Sequence, residues 1–226
     1  MMRITLILSV CLCCCMVITS QAQAPPRDDQ QFWHETQFIK PLTERADLMI
    51  AGVLRAGRAR QRPVDERIGA GVKFKLNQYL SFTPLYFYVD QQPFAGRRIN
   101  EHRLIADLTV KVRLGKFTLT NRNRYEHRIR HRERDFEVYR NRLLIDHPAK
   151  LGSFTFKPFV GSEVFYSSLR GNDLRRQGWS RARYLGGVNK QFNERLYGEL
   201  FYVRQQDGFS RPGNVHAIGT LLRVLL

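Results

Sequence analysis

The chain is predicted to be all-β, an antiparallel transmembrane β-barrel of about ten strands, within a range of about eight to twelve, behind an N-terminal signal peptide. Three observations predict it. Residues 1–24 have the make-up of an export signal, and the remainder alternates apolar and polar residues with a period of two. The spacers between the alternating runs are short and long in turn.

The export signal has three parts. Arg3 gives a positive start, Ile4 to Ile18 is apolar apart from Thr5 and Ser9, and Ala22-Gln23-Ala24 supplies a small-x-small cleavage pattern ahead of Pro25-Pro26. An apolar run of about fifteen residues is short for a helix that needs about 20 to cross hydrocarbon. A lipoprotein signal fits less well, because Leu8-Ser9-Val10 places no small residue directly before Cys11. All four cysteines (Cys11, Cys13, Cys14, Cys15) lie in this segment, so the expected mature chain, residues 25–226, holds neither disulfide nor thiolate. Losing Arg3 lowers the formal charge from +17 by one, to +16. Such a basic chain seeks anions. Export argues against nucleic acid as a partner and for outer-membrane lipid, including the phosphates of lipopolysaccharide, with the barrel-assembly machinery as a partner during biogenesis.

Along the chain, Trp33 to Lys40 forms a first run and strands are countable from near Asp47. Ile68, Ala70, Val72, Phe74 and Leu76 oppose Lys73 and Lys75, and Leu104, Ala106, Leu108, Val110, Val112 and Leu114 oppose Arg103, Asp107, Thr109, Lys111 and Arg113. Alternation recurs at Phe117–Arg128, Phe154–Val164, Arg181–Asn189, Leu196–Tyr202 and Ile218–Leu226. A strand puts such charges on one side, whereas a helix would scatter them. Tight turns are expected near 41–44, 77–78, 115–116, 148–152 and 191–194, with long loops near 57–66, 90–100, 129–137, 167–178 and 205–214. Bacterial single-chain barrels have even strand counts, so either the run at Trp33 is a partial strand or a lumen segment, or a strand elsewhere is merged or split in this count. Two features favour a membrane barrel over a soluble sandwich or lipocalin-like barrel. Aromatic clusters such as Tyr86-Phe87-Tyr88, Phe165-Tyr166 and Phe201-Tyr202 suit interfacial girdles, and the last strand ends the chain in an alternating apolar run.

Trp33, Glu101 with Arg103, Arg122-Asn123-Arg124-Tyr125-Glu126-His127-Arg128, Arg140-x-Arg142-Leu143 and Glu163-Val164-Phe165 together resemble the bacterial proteins catalogued as domain of unknown function 2490. The similarity runs over nearly all of residues 25–226. It implies an outer-membrane barrel and carries no activity. The chain departs from the usual barrel ending in closing on Leu226 rather than an aromatic.

Charges on a lipid-facing wall cost about 2–4 kcal/mol at the midplane, so the strand charges are expected in the lumen. This candidate ladder comprises Arg103, Arg113, Arg122, Arg124, Glu126, Arg128, Arg140, Arg142, Glu163, Arg181, Arg183 and Glu199. It has two readings: uncompensated arginine lining a narrow, anion-favouring pore, or arginine–carboxylate pairs that plug a lumen barely wider than its side chains. Candidate loop contacts to lipopolysaccharide are Arg58, Arg60, Arg62, Arg130, Arg132, Arg175 and Arg176, which equally form an ordinary solvated surface. Enzyme signals are weak. The six histidines show no metal-ligand spacing, no cofactor is expected, and no Gly-x-Ser-x-Gly elbow occurs. A lipid-modifying enzyme would need Ser167, Ser168 or Ser180 beside His127 or His131.

Overall fold

The computed structural model describes residues 28–57, 62–94, 97–131, 133–168, 178–207 and 214–226. The expected signal peptide lies outside them. The described elements are β1 (Asp28–Thr43), β2 (Ala46–Gly57), β3 (Arg62–Lys75), β4 (Leu80–Phe94), β5 (Arg97–Leu114), β6 (Phe117–Arg130), β7 (Phe136–Asp146), β8 (Ala149–Leu151), β9 (Phe154–Ser168), β10 (Gly178–Gln191), β11 (Leu196–Asp207) and β12 (Asn214–Leu225).

Sequential antiparallel pairing carries the sheet round from β1 to β12, with β9 following β7, and β8 is a short spur on the start of β9. Leaving out that spur, eleven described strands form a closed ring. The run at Trp33, set aside by the even-count rule, is therefore a full wall strand. An odd number of up-and-down strands makes the first and last run in the same direction, and β1 pairs with β12 in parallel from Asp28↔Asn214 to Ile39↔Leu225. The reason is backbone satisfaction. In hydrocarbon every ladder group needs a partner, and β1 supplies one to each of the two edges that an open ten-strand sheet would leave.

The short links follow β1, β3, β5, β7 and β10, so they gather at one end of the barrel with Leu226. The links after β2, β4, β6, β9 and β11 gather at the other, the long-loop end, with the start of β1; there β4 and β5 run through most of the loop expected near 90–100 and leave residues 95–96 between them. Local chemistry accounts for the tight turns. Gly115 takes φ +60°, a left-handed conformation that glycine adopts without steric cost. Asn77 Oδ1 accepts hydrogen bonds from the backbone N–H of Tyr79 and Leu80 at 2.8 and 2.9 Å. Asn193 repeats the device with Arg195 and Leu196 at 2.9 and 2.8 Å.

The two faces sort inside-out relative to a soluble barrel. Ile68, Leu104, Val160, Tyr184, Leu200 and Ile218 are more than half exposed on the outer wall. The fully buried side chains of the interior include Glu101, Arg103 and Glu126. Small apolar clusters fill the spaces between the charges: Ala51, Leu85, Phe87, Val89 and Ile105 form one, and Trp33, Val203, Val215 and Ala217 another. The aromatic girdle divides by parity. Tyr86, Tyr88, Tyr166 and Tyr202 are exposed on the outer wall, whereas Phe87 and Phe165 are buried in the lumen. A bulge between Trp179 and Arg181 resets the alternation. It sends Trp179 outward onto the edge of Tyr166, ring centroids 5.8 Å apart, while Arg181 turns inward beside Asp207.

Candidate functional site

The lumen charges assemble around carboxylates rather than lying as an open ladder. Glu126 accepts from Arg140 Nη1 at 2.6 Å and from Arg128 Nη2 at 2.5 Å. Glu163 accepts from Arg140 Nη2 at 2.6 Å, Arg122 Nη2 at 2.9 Å and Arg183 Nη1 at 3.1 Å. Arg140 thus bridges the two acids across β6, β7 and β9. Glu101 holds Arg103 on one oxygen and Arg130 on the other, with Nε contacts of 2.7 and 2.6 Å. Arg124 grips Asp107, and Arg67 grips Asp65, each through two bonds of 2.5–2.6 Å. The planar guanidinium fork matches a carboxylate in this way. Aromatic rings line the same zone. Phe165 lies 4.6 Å from the guanidinium carbons of both Arg140 and Arg183, Trp33 lies 4.0 Å from that of Arg55, and Phe136 lies 4.3 Å from that of Arg130.

Strand position locates this network in the long-loop half of the barrel, where Glu101, Glu126 and Glu163 have 0, 0 and 2 % exposure. The short-turn half is different. Lys73, Lys111, Arg113 and Lys157 lie on the inner face by alternation and are exposed. Solvent therefore reaches the inner face of this half, a polar vestibule.

Several expected members of the ladder stand apart from the network. Arg113 donates to the carbonyl of Gly115 at 3.3 Å. Glu199 accepts from the Tyr197 hydroxyl at 2.6 Å rather than from an arginine. The side chain of Arg142, opposite Arg122 in the register, makes no hydrogen bond or ion pair within 4 Å among the described residues, and its Nε is buried without a partner. Two loop expectations need correction. Arg130 ends β6 and joins the lumen network through Glu101, and Arg62 opens β3 opposite Gly57. The strands run further toward the loops than about ten residues, and this draws both into the wall. Arg58, Arg60, Arg132, Arg175 and Arg176 lie outside the described residues.

Sequence reasoning missed Asp65, Arg67 and Glu101 as members of the network. A signal was present. Asp65-x-Arg67, Glu101-x-Arg103 and Glu126-x-Arg128 share one spacing, which puts acid and arginine on one face of a strand, and all three pairs are bonded.

The serine–histidine pairing does not assemble at His127. His127, Glu137 and Ser168 lie in one row across β6, β7 and β9, with the carboxylate in the middle. Two strand spacings, about 10 Å, separate Ser168 from His127, while Ser167 is buried on the inner face and Ser180 is bonded to the carbonyl of Phe165. A different polar group occupies the outer wall beside the parallel seam. His34 Nδ1 is 2.8 Å from Thr220 Oγ1 and its Nε2 is 2.8 Å from Thr36 Oγ1. They border a groove of about 560 Å³ that reaches over Gly52 to Glu66, Tyr88 and Asp90. A Cβ at Gly52 would meet nothing within 4 Å. The described residues contain no cluster of three or more His, Cys, Asp or Glu able to hold a metal.

Among solved structures the chain is similar to LpxR from Salmonella typhimurium, at 11% identity and a TM-score of 0.47, covering 80% of this chain and 83% of that one. No curated protein matches it. Residues 30–215 match the family described as Protein of unknown function (DUF2490). That match spans most of the barrel wall, and the chain belongs to the DUF2490 family.

Proposed function

We propose that the chain is a non-conducting outer-membrane barrel, a scaffold closed in its long-loop half, whose basic long-loop rim binds the phosphates of lipopolysaccharide. The observation that carries the closed state is the bridge of Arg140 between the buried Glu126 and Glu163. An ion passing this level would have to separate desolvated pairs, and breaking such a pair costs about 3–5 kcal/mol. The apolar outer wall supports the membrane setting. The rim reading rests on Arg58, Arg60, Arg132, Arg134, Arg175 and Arg176 in the long connections, residues whose guanidinium forks suit phosphate. Of these, Arg134 is described and exposed. The refolded chain in a planar bilayer under a salt gradient is expected to be silent. Anion-selective current steps, reduced by neutralising Arg122 and Arg142, would instead establish a pore.

A second reading, an enzyme acting on membrane lipid, is favoured by the outer-wall groove at His34. Hydrolysis of labelled phospholipid or lipid A by the folded barrel, abolished by His34→Ala, is its expected sign. Absence of turnover with both lipids would end it.

A further inference from the structure

Each lumen arginine described in the long-loop half has a carboxylate within 4 Å, although the arginines outnumber the acids they share, whereas the short-turn half leaves cations with none. Arg122 and Arg142 stand opposite each other on β6 and β7, where directly opposed side chains have Cβ atoms about 4.5–5.5 Å apart and like charges repel. Glu163, the acid near both, is already engaged by Arg122, Arg140 and Arg183. Further toward the short turns, Lys73 shares the field of Arg223, Lys75 and Lys111, with Asp47 opposite it in the register as the one acid among them. The acids in this half and at its border are largely committed: Asp107 at the edge of the network to Arg124, Asp47 to Lys75, Glu199 to Tyr197 and Glu35 to Gln37. Asp146 remains, with Oδ1 buried and without a partner. Among the described residues, Lys111, Lys157 and Arg142 have no carboxylate within 4 Å.

We propose that this vestibule is a binding site for a phosphate-bearing anion entering from the short-turn end, held by Arg122 and Arg142 at its floor and by Lys73, Lys111 and Arg223 on its walls. The site rests on the closed-lumen reading, since the network above Arg122 makes the vestibule a dead end. Cations on low-dielectric walls focus their potential into the cleft between them. Two guanidinium forks and several ammonium groups offer more donors than one carboxylate can use, and a phosphate presents three strong acceptor oxygens. The bound anion relieves the repulsion between Arg122 and Arg142 and compensates the arginine that lacks a partner.

Two sources present this chemistry: a soluble phosphate, or a lipid headgroup from the leaflet at the short turns. Calorimetric titration of the full barrel in uncharged detergent, with pyrophosphate and separately with a short-chain phosphatidic acid, distinguishes them. Saturable binding of pyrophosphate identifies the soluble source, and binding of phosphatidic acid alone identifies the headgroup. With either ligand, Arg142→Gln and Lys111→Gln are each expected to weaken binding at least about tenfold, the scale of one lost charge-assisted contact at 1.4 kcal/mol per decade. Arg98→Gln on the long-loop rim is expected to leave it unchanged. Lys111 is exposed and unpaired, so its variant keeps the test valid if Arg142→Gln fails to fold. Binding of neither ligand, or wild-type affinity in a folded Lys111→Gln barrel, overturns the proposal. Current through the wild-type barrel would end the closed-lumen reading while leaving the titration to decide the site.

Discussion

The two halves of one lumen, lined by the same strands, handle charge in opposite ways. Toward the long loops, acid and arginine alternate so closely that Glu101, Arg103 and Glu126 are almost wholly removed from solvent. Toward the short turns, lysines stand exposed, and Lys75 keeps 43% of its side chain accessible while bonded to Asp47. Residue type alone does not account for the contrast, since Arg122 lies within reach of Glu163 while the side chain of Arg142, opposite it, makes no bond among the described residues. What differs is the supply of acids at the right register. The acid-x-arginine spacing occurs on β3, β5 and β6 at the long-loop side and is missing among the cations at the other.

The most severe way to break this contrast is Glu163→Ala. It strips the acid shared by Arg122, Arg140 and Arg183 and leaves buried cations uncompensated. A loss of about 3–5 kcal/mol is expected in urea unfolding of the refolded barrel, with little change in concentrated salt, because buried pairs are poorly screened. The mild counterpart is Asp47→Asn in the open half. It is expected to cost less than about 1 kcal/mol, a difference that shrinks further at 1 M salt, where the screening length falls to about 3 Å. Equal costs for the two variants would mean that the halves do not differ in solvation.

Much of this was legible in the sequence. Period-two alternation identifies the wall and sorts its faces correctly at Leu104, Leu108 and Ile68, all exposed outward. The site was legible as a set of lumen charges but not as pairs. A strand's own sequence says which face a side chain takes, while partners depend on register between strands, as where Arg140 meets Glu163 from β9. Phe165 read as a girdle residue because aromatic content does not reveal parity. The bulge at Trp179/Arg181 was invisible because one extra residue leaves no compositional trace. The eleventh strand was hidden by a counting rule that presumes antiparallel closure, which the pairing of Phe32 with Ile218 in parallel register replaces.

That parallel seam has a topographic consequence. Asp28 and Leu226 belong to neighbouring strands, yet they sit at opposite mouths of the barrel, for Asp28 is beside Asn214 and Leu226 donates its N–H to Ile39. An epitope grafted just before Asp28 and another just after Leu226 would therefore report opposite sides of the membrane. In a single chain with both epitopes, antibodies applied to intact cells would reach one of the two, and which one they reached would give the barrel's orientation.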